Sequence, residues 1–145
     1  MDETQRRKLF DLFATQHVAV IATQGDKGPT ATMQAFAETA ELDLLFIMGD
    51  SDKYRNLLEH PNVTVLVDDR DRGDVKTFRV NRATIYGLAS EVPRGAEWDA
   101  LKDRFIAKNP FEAPFFGNEA LKMVRVRPRF ISFAGADHKT FKTEL

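Results

Sequence analysis

Short runs of β-branched and apolar residues, each ended by a turn signal, fill the first third of this chain. Three such runs cover residues 18–23, 30–38 and 42–48, and the glycine-rich segment 25–29 separates the first two. Parallel strands need a crossover of about a dozen residues, so connections this short are typical of antiparallel strands. The pattern therefore predicts an antiparallel meander at the start of the chain.

Further strand-like runs continue to the end of the sequence, and short helical segments interrupt them. Asp2 and Gln5 have the spacing of a capping box at the start of a first helix. The remaining predicted strands lie at residues 63–67, 75–80, 83–92, 121–127 and 129–134, and the remaining predicted helices at residues 52–60 and 93–108. Because helices and strands do not alternate strictly, we expect a mostly β (α+β) fold in one domain over residues 1–145.

The composition limits the classes of function. The 21 basic and 22 acidic residues leave a net charge of -1, so no general attraction to nucleic acid or to an anionic membrane is expected. The absence of cysteine excludes disulfides and thiolate chemistry. The three histidines lie on separate elements and form no pair at metal-ligand spacing, so no metal site is predicted. The charged N-terminus lacks the apolar core of a signal peptide, and a cytoplasmic location is expected.

Ser51 and Lys53 open a short predicted helix directly after a strand. A helix N-terminus offers free amide donors and a partial positive charge, and these two side chains add a hydroxyl and an ammonium. Together they form a candidate cradle for a phosphate. A capped helix with a solvated lysine accounts for the same residues, because serine caps are common. The residues alone leave both interpretations open.

The second predicted strand alternates short polar and small apolar side chains. Small side chains let a flat ring system approach the backbone, and hydroxyl groups can bind phosphate or ring oxygens. An ordinary half-buried strand has the same pattern. The candidate ligand-contacting residues of this strand are Thr30, Ala31, Thr32, Met33, Gln34 and Ala35.

An aromatic segment lies between the last predicted helix and the last two predicted strands. Phe111, Phe115 and Phe116 stand among prolines and a glycine. A core position is the default for phenylalanine, but this setting also suits the wall of a flat aromatic ligand or a subunit interface. The sequence does not separate these options.

The order of these segments resembles the pyridoxamine 5'-phosphate oxidase-like family of FMN-binding split barrels, over roughly residues 5–135. The most specific part is the helix Ser51-Asp52-Lys53-Tyr54-Arg55-Asn56-Leu57, followed by His60-Pro61-Asn62-Val63. The other matching segments are residues 18–23, 29–36, 44–48, 83–89 and 126–128.

The resemblance implies an antiparallel split β-barrel with short flanking helices. It also implies a homodimer that binds FMN at the subunit interface. The phosphate-binding lysine of the family falls on Lys53, and a phosphate-contacting hydroxyl falls on Ser51. The strand along the flavin ring falls on residues 30–35, and Ile47 and Met48 fall at the end of the next strand, also beside the flavin.

The implied function is that of an FMN-dependent oxidoreductase acting on a small molecule that the sequence does not name, with no catalytic residue assigned. Asp52 stands where the family often has an arginine, and the C-terminal arginine-leucine-histidine motif of the oxidase is absent. The resemblance therefore does not extend to the substrate of that oxidase. The alternatives are a flavin-binding protein without turnover and a haem-binding or haem-degrading relative, with His17 or His138 as candidate haem ligands.

Overall fold

The computed structural model describes all 145 residues and contains seven strands, three α-helices and one 3₁₀ helix. In chain order these are α1 (Glu3–Thr15), β1 (Val18–Gly25), β2 (Gly28–Glu38), β3 (Leu44–Met48), α2 (Asp52–Glu59), β4 (Asn62–Asp68), β5 (Arg82–Glu91), α3 (Ala96–Lys108), the 3₁₀ helix (Pro110–Gly117), β6 (Lys122–Ala134) and β7 (Thr140–Glu144). The mostly β fold predicted from the sequence is confirmed. None of the helices combines the length and the apolar character needed to span a bilayer.

Six of the strands close into an antiparallel barrel. Their order is β3-β2-β1-β4-β5-β6, and pairing of β3 with β6 completes the ring. Strand β7 adds to the free side of β6. The predicted meander of the first three strands forms one side of this barrel, and β1 and β2 meet through a two-residue turn between Gly25 and Gly28.

Two apolar clusters hold the fold together, one on each side of the barrel wall. The barrel interior is filled by alternate residues of the strands, among them the fully buried Ile21, Phe36, Phe46 and Ile85. Helix α1 covers one part of this interior, and Tyr54 and Leu57 of α2 cover another. On the outer side, α3 and the 3₁₀ helix pack against β3 and β6 through Trp98, Phe105 and Phe116.

The barrel is split between β2 and β3. The two strands pair only at Phe36–Phe46, Ala37–Leu45 and Glu38–Leu44. Residues 28–35 of β2 pair with β1 alone, so one side of this stretch carries no strand partner. This stretch, the split edge, coincides with the strand that the sequence singles out as ligand-contacting.

Residues 75–80 do not form the strand predicted for them. Apart from one isolated bridge between Asp74 and Arg79, they lie in a loop with Phe78 at a φ of 57°. The Asp74 carboxylate accepts from the backbone N–H of Lys76 and from the Thr77 hydroxyl, and such local bonds compete with a strand ladder. Val75 and Phe78 stay exposed because they have no sheet to pack against, whereas Val80, at the end of the segment, is buried.

The last two predicted strands are one strand, β6, which continues through Pro128. The register between β5 and β6 shifts between Tyr86 and Gly87, opposite this proline, so the irregularity accommodates the missing N–H. A Cβ on Gly87 would lie 2.6 Å from Cγ1 of Val126, which explains the glycine. Pro128 therefore lies at an irregular pairing within one strand and does not separate two strands.

Three smaller features of the structure differ from those predicted from the sequence. Helix α3 begins at Ala96 rather than at Pro93, and the aromatic segment forms a 3₁₀ helix rather than an irregular stretch. Strand β7 was not predicted. Its five residues include few apolar side chains, and only Thr143 is buried. The capping box of α1 is confirmed, since Asp2 and Gln5 each bond the other's backbone N–H.

Candidate functional site

The candidate residues of β2 face two sides of the split edge. Phe36 points into the barrel core, and strand alternation places Gln34 and Thr32 on the same side. Ala31, Met33 and Ala35 face outward, where Met33 is 70% exposed and Ala35 packs against the outer cluster. Thr30 is exposed near the turn. The small side chains therefore leave the outer side of the split edge open, and the polar side chains face inward.

Lys53 reaches from the first turn of α2 to the split edge. Its ammonium donates to Oγ1 of Thr32 over 2.9 Å. In the amide orientation in which both polar ends of Gln34 find partners, Oε1 of Gln34 also accepts from the Lys53 ammonium. The ammonium thus bridges α2 and β2 through two neutral acceptors.

The Lys53 ammonium is a cation without a counterion. It takes part in none of the ion pairs of the structure. The side chain is half-buried, and loss of hydration lowers the pKa of Lys53 from its usual value. A neutral hydroxyl and an amide do not replace the water that a full charge loses. An anion placed at this ammonium would supply the missing interaction.

Ser51 has a structural role at the start of α2. It is the N-cap residue, and its hydroxyl oxygen accepts from the backbone N–H of Tyr54 over 3.3 Å. The same helix start carries two carboxylates, Asp50 and Asp52, and both pair with Arg55 at 3.0 and 2.6 Å. These three charges sum to -1, which opposes the helix dipole for a bound anion. The favourable position for a phosphate is therefore beside Lys53 rather than on the helix axis.

Ile47 and Met48 lie opposite the split edge, but their side chains point away from it. Ile47 packs in the outer cluster, and Met48 packs in the barrel core. The backbone of Ile47 does face the split, because Nε2 of Gln34 donates to its carbonyl over 3.3 Å. Both residues therefore border the site through main-chain atoms.

The three phenylalanines of the 3₁₀ helix have different surroundings. Phe116 is buried against Trp98 and Phe105. Phe111 is 93% exposed and Phe115 is 57% exposed. One of the three is thus a core residue, as phenylalanine usually is, and the other two form an apolar surface on the single chain.

Two features of the structure are absent from the sequence-based prediction. One is the contact of Lys53 with Thr32 and Gln34, which joins two candidate groups that the sequence treats separately. The other is Asn109, a buried amide next to His17. In the sequence, the Asn109-Pro110 pair indicates the end of a helix, and it does not predict a buried hydrogen bond.

Comparison with known proteins gives a family and a fold. A model of the family described as pyridoxamine 5'-phosphate oxidase matches residues 6–131. No curated protein sequence matches the chain. Among solved structures, the haem-binding protein from Mycobacterium smegmatis is similar with a TM-score of 0.86 at 16% identity, over 99% of this chain and 59% of that chain.

Two further structures are similar over nearly their whole length. An FAD-binding protein from Mesorhizobium loti has a TM-score of 0.71 at 15% identity, over 99% of this chain and 96% of that chain. General Stress Protein 26 from Bacillus anthracis has a TM-score of 0.73 at 17% identity, over 96% and 98%. At these identities the similarity shows a shared fold. The chain spans about three fifths of the haem-binding protein and about the whole of the other two.

Proposed function

The chain belongs to the pyridoxamine 5'-phosphate oxidase family, and from that premise we propose that it binds FMN at the split edge, with the phosphate on Lys53. The family supplies the class of ligand. The residues of this chain indicate the position within the fold. FMN is preferred over an unphosphorylated flavin because the site offers a cation to the phosphate.

The observation that carries the proposal is the unpaired ammonium of Lys53. An ammonium held only by Thr32 and Gln34 keeps a donor direction for a third partner, since lysine has three N–H bonds. A phosphate oxygen at that position would form a charge-assisted hydrogen bond, which is about twice as strong as a neutral one. The residues present therefore fit the phosphate of the flavin.

The flavin ring has room along the same strand. The outer side of the split edge carries Ala31 and Ala35, whose short side chains let a flat ring approach the backbone. The backbone groups of this edge have no strand partner and are free to bond the polar atoms of the ring. The ring would then lie between the split edge and the backbone of Ile47 and Met48.

We propose that the function is that of a flavin-dependent oxidoreductase. The bound flavin supplies the electron-transfer chemistry, and the protein supplies binding, orientation and electrostatics. In this chain Lys53 holds the phosphate end, while Thr32 and Gln34 hold the lysine in position. The substrate is a small molecule, and the cytoplasmic location expected from the sequence remains a prediction.

We also propose that the chain acts as a homodimer with the flavin at the interface. Directly opposed strand partners share a face of the sheet, and the outer face of β1, β2, β4 and β5 carries exposed apolar side chains. Phe111 and Phe115 add to the apolar surface of the single chain. A symmetric dimer is the commonest arrangement that covers such a surface. The exposed apolar residues of the outer face are Val18, Met33, Tyr86 and Leu88.

The experiment that tests the proposal is a titration of the purified protein with FMN and with riboflavin, followed by flavin fluorescence. We expect tighter binding of FMN, a flavin absorption band in the visible spectrum, and reduction of the bound flavin by a nicotinamide cofactor. Light scattering on the same sample should give the mass of a dimer. Equal affinity for the two flavins would remove the phosphate site from the proposal. A Soret band on haem addition together with no flavin binding would place the chain with the haem-binding relatives.

A further inference from the structure

A cavity lies beside the split edge, where the end of α1 meets the outer face of β1, β2 and β4. Its cavity volume is about 350 Å³, which suits a small molecule. The apolar part of its wall is formed by Val18, Val20, Met33 and Leu66. Two of these residues, Val18 and Met33, also belong to the outer face that the proposed dimer covers, so this cavity would border the partner subunit in that dimer. His17 lies on the polar part of the wall. No role follows for this cavity from the phosphate site described above.

The orientation of the His17 ring is fixed by a buried amide. Asn109 is only 7% exposed, and its Nδ2 donates to the backbone carbonyl of Phe36 over 2.9 Å. Its Oδ1 lies 3.1 Å from Nδ1 of His17. Because a carbonyl can only accept, the Phe36 contact fixes which end of the amide carries the N–H groups. The other end, which faces the histidine, must then be the oxygen.

This arrangement also fixes the tautomer of His17. The Oδ1 atom of Asn109 is an acceptor, so Nδ1 of His17 must carry the hydrogen. In the neutral ring, Nε2 is then a bare acceptor. No hydrogen bond of the structure uses this second nitrogen, and the ring lines the cavity. Because the ring lines the cavity, we expect Nε2 to be within reach of a molecule bound there.

The charges around the cavity favour one class of ligand. Arg70 binds the Asp68 carboxylate through two hydrogen bonds of 2.8 and 2.7 Å, so these charges cancel, and this pairing lowers the pKa of Asp68. Asp71 has only the neutral amide of Gln16 as a side-chain partner, at 3.1 Å. The polar wall thus has a net charge of -1. An anionic ligand would be repelled, and an uncharged or cationic ligand would not.

We propose that this cavity binds a small uncharged or cationic molecule that has an apolar body and donates an N–H or O–H hydrogen bond to Nε2 of His17. Resting on the proposed flavin function, we assign the cavity as the substrate site. The reason is that Met33 belongs both to the cavity wall and to the strand that the flavin follows. An amine or hydroxyl compound is the expected substrate class, and a carboxylate is not.

The test uses benzylamine, benzyl alcohol and benzoate as probes, since they share one apolar body and differ in the polar group. The protein is studied in its flavin-free form by ¹⁵N NMR at mildly alkaline pH. We expect His17 to be protonated at Nδ1, and we expect its Nε2 resonance to move with benzylamine and benzyl alcohol. Benzoate should leave this resonance in place. Protonation at Nε2, or a response to benzoate equal to the response to benzylamine, would overturn the proposal.

The matched variants are His17→Phe and His60→Phe. The first keeps a flat ring and removes the acceptor, so benzylamine should bind about two- to tenfold more weakly, the worth of one net hydrogen bond. His60 is exposed at the end of α2 and does not line this cavity, so its variant should bind the probe like the parent. Both histidines are exposed, and amide spectra of the two variants serve to check that they fold. Unchanged affinity in His17→Phe would contradict the proposal.

An FMN titration of the same samples separates this inference from the proposed function. Simultaneous binding of FMN and benzylamine supports a substrate site beside the flavin. Displacement of benzylamine by FMN would overturn that assignment, because the cavity would then belong to the flavin. If benzylamine binds at His17 but FMN does not bind at all, the flavin proposal fails and the cavity remains a donor-binding site.

Discussion

Replacing Lys53 with methionine isolates the charge on which the flavin proposal depends. Methionine has nearly the length of the lysine side chain and no ammonium. The substitution removes the hydrogen bond to Thr32 and the contact with Gln34, and it leaves the backbone of α2 unchanged. Because Lys53 is half-buried and has no counterion, its removal breaks no ion pair. The free protein should therefore fold as before.

The magnitude follows from the position of the ammonium. Two unit charges about 4 Å apart interact by about 4 kcal/mol at an effective dielectric constant of about 20. Part of this is offset by the lost hydration of the phosphate, so the net value should approach that of one charged hydrogen bond, about 1.5–3 kcal/mol. The dissociation constant for FMN should then rise about ten- to a hundredfold. Riboflavin has no phosphate, and its affinity should barely change.

The assay is fluorescence titration of both flavins against the parent, Lys53→Met and the control Lys76→Met. Lys76 lies in the exposed loop after β4, and its ammonium has no partner there, so the control removes an equal charge elsewhere. Added salt should weaken FMN binding to the parent more than to Lys53→Met, because it screens the charge that the variant lacks. Equal loss in both variants would show a general charge effect. Unchanged FMN affinity in Lys53→Met would show that this ammonium does not bind the phosphate.

The pH dependence of FMN affinity has a definite sign. Burial lowers the pKa of Lys53 in the free protein, and a bound phosphate would raise it, because an opposite charge favours the ammonium. FMN affinity should therefore fall as the pH rises through the pKa of the free protein. In the flavin-free protein the lowered pKa means that the ammonium destabilises the fold below that pKa. This penalty is relieved as the pH rises towards the unfolded value of 10.5, and Lys53→Met should lack it.

Three further predictions concern the stability of the fold around the site and the proposed dimer. Lys108→Met should lower the free energy of unfolding by about 3–5 kcal/mol in chemical denaturation, because it leaves the carboxylate of Glu38 buried without its 2.5 Å partner; a loss below about 1 kcal/mol would count against this. Asn109→Ala should cost about 1–3 kcal/mol in the same assay, since the carbonyl of Phe36 loses its donor, and an unchanged midpoint would contradict it. Met33→Asp should shift the mass measured by light scattering from dimer to monomer with little change in monomer stability; a dimer that persists would place the interface elsewhere.

Much of the fold follows from local patterns in the sequence. The first three strands alternate or are wholly apolar and end at clear turns, so their positions are predicted within about two residues. The segment 75–80 has a similar apolar content but forms a loop, because the Asp74 carboxylate accepts from the backbone N–H of Lys76 and from the Thr77 hydroxyl. Strand β7 has too few apolar residues to show a period. Its place depends on the free side of β6, which only the closed barrel reveals.

The candidate site is predictable by residue type but not by arrangement. The sequence identifies Lys53 as a possible phosphate ligand and residues 30–35 as a ligand-contacting strand. It leaves Ser51 open as a phosphate ligand or a helix cap; the structure shows the cap, and it shows a bond from Lys53 to Thr32 that the sequence does not predict. The link depends on how α2 packs across the barrel, which is a long-range property. Lys53 and Thr32 are 21 residues apart, so their contact produces no local sequence pattern.

A crystal structure of the complex with FMN would show directly whether Lys53 binds the phosphate. We expect a phosphate oxygen within about 2.7–2.9 Å of Nζ of Lys53, the distance of a charge-assisted hydrogen bond. We also expect the flavin ring to lie along residues 28–35 of β2, on the side that lacks a strand partner. A phosphate bound at another group of basic residues, with Lys53 still held only by Thr32 and Gln34, would contradict the proposed phosphate site.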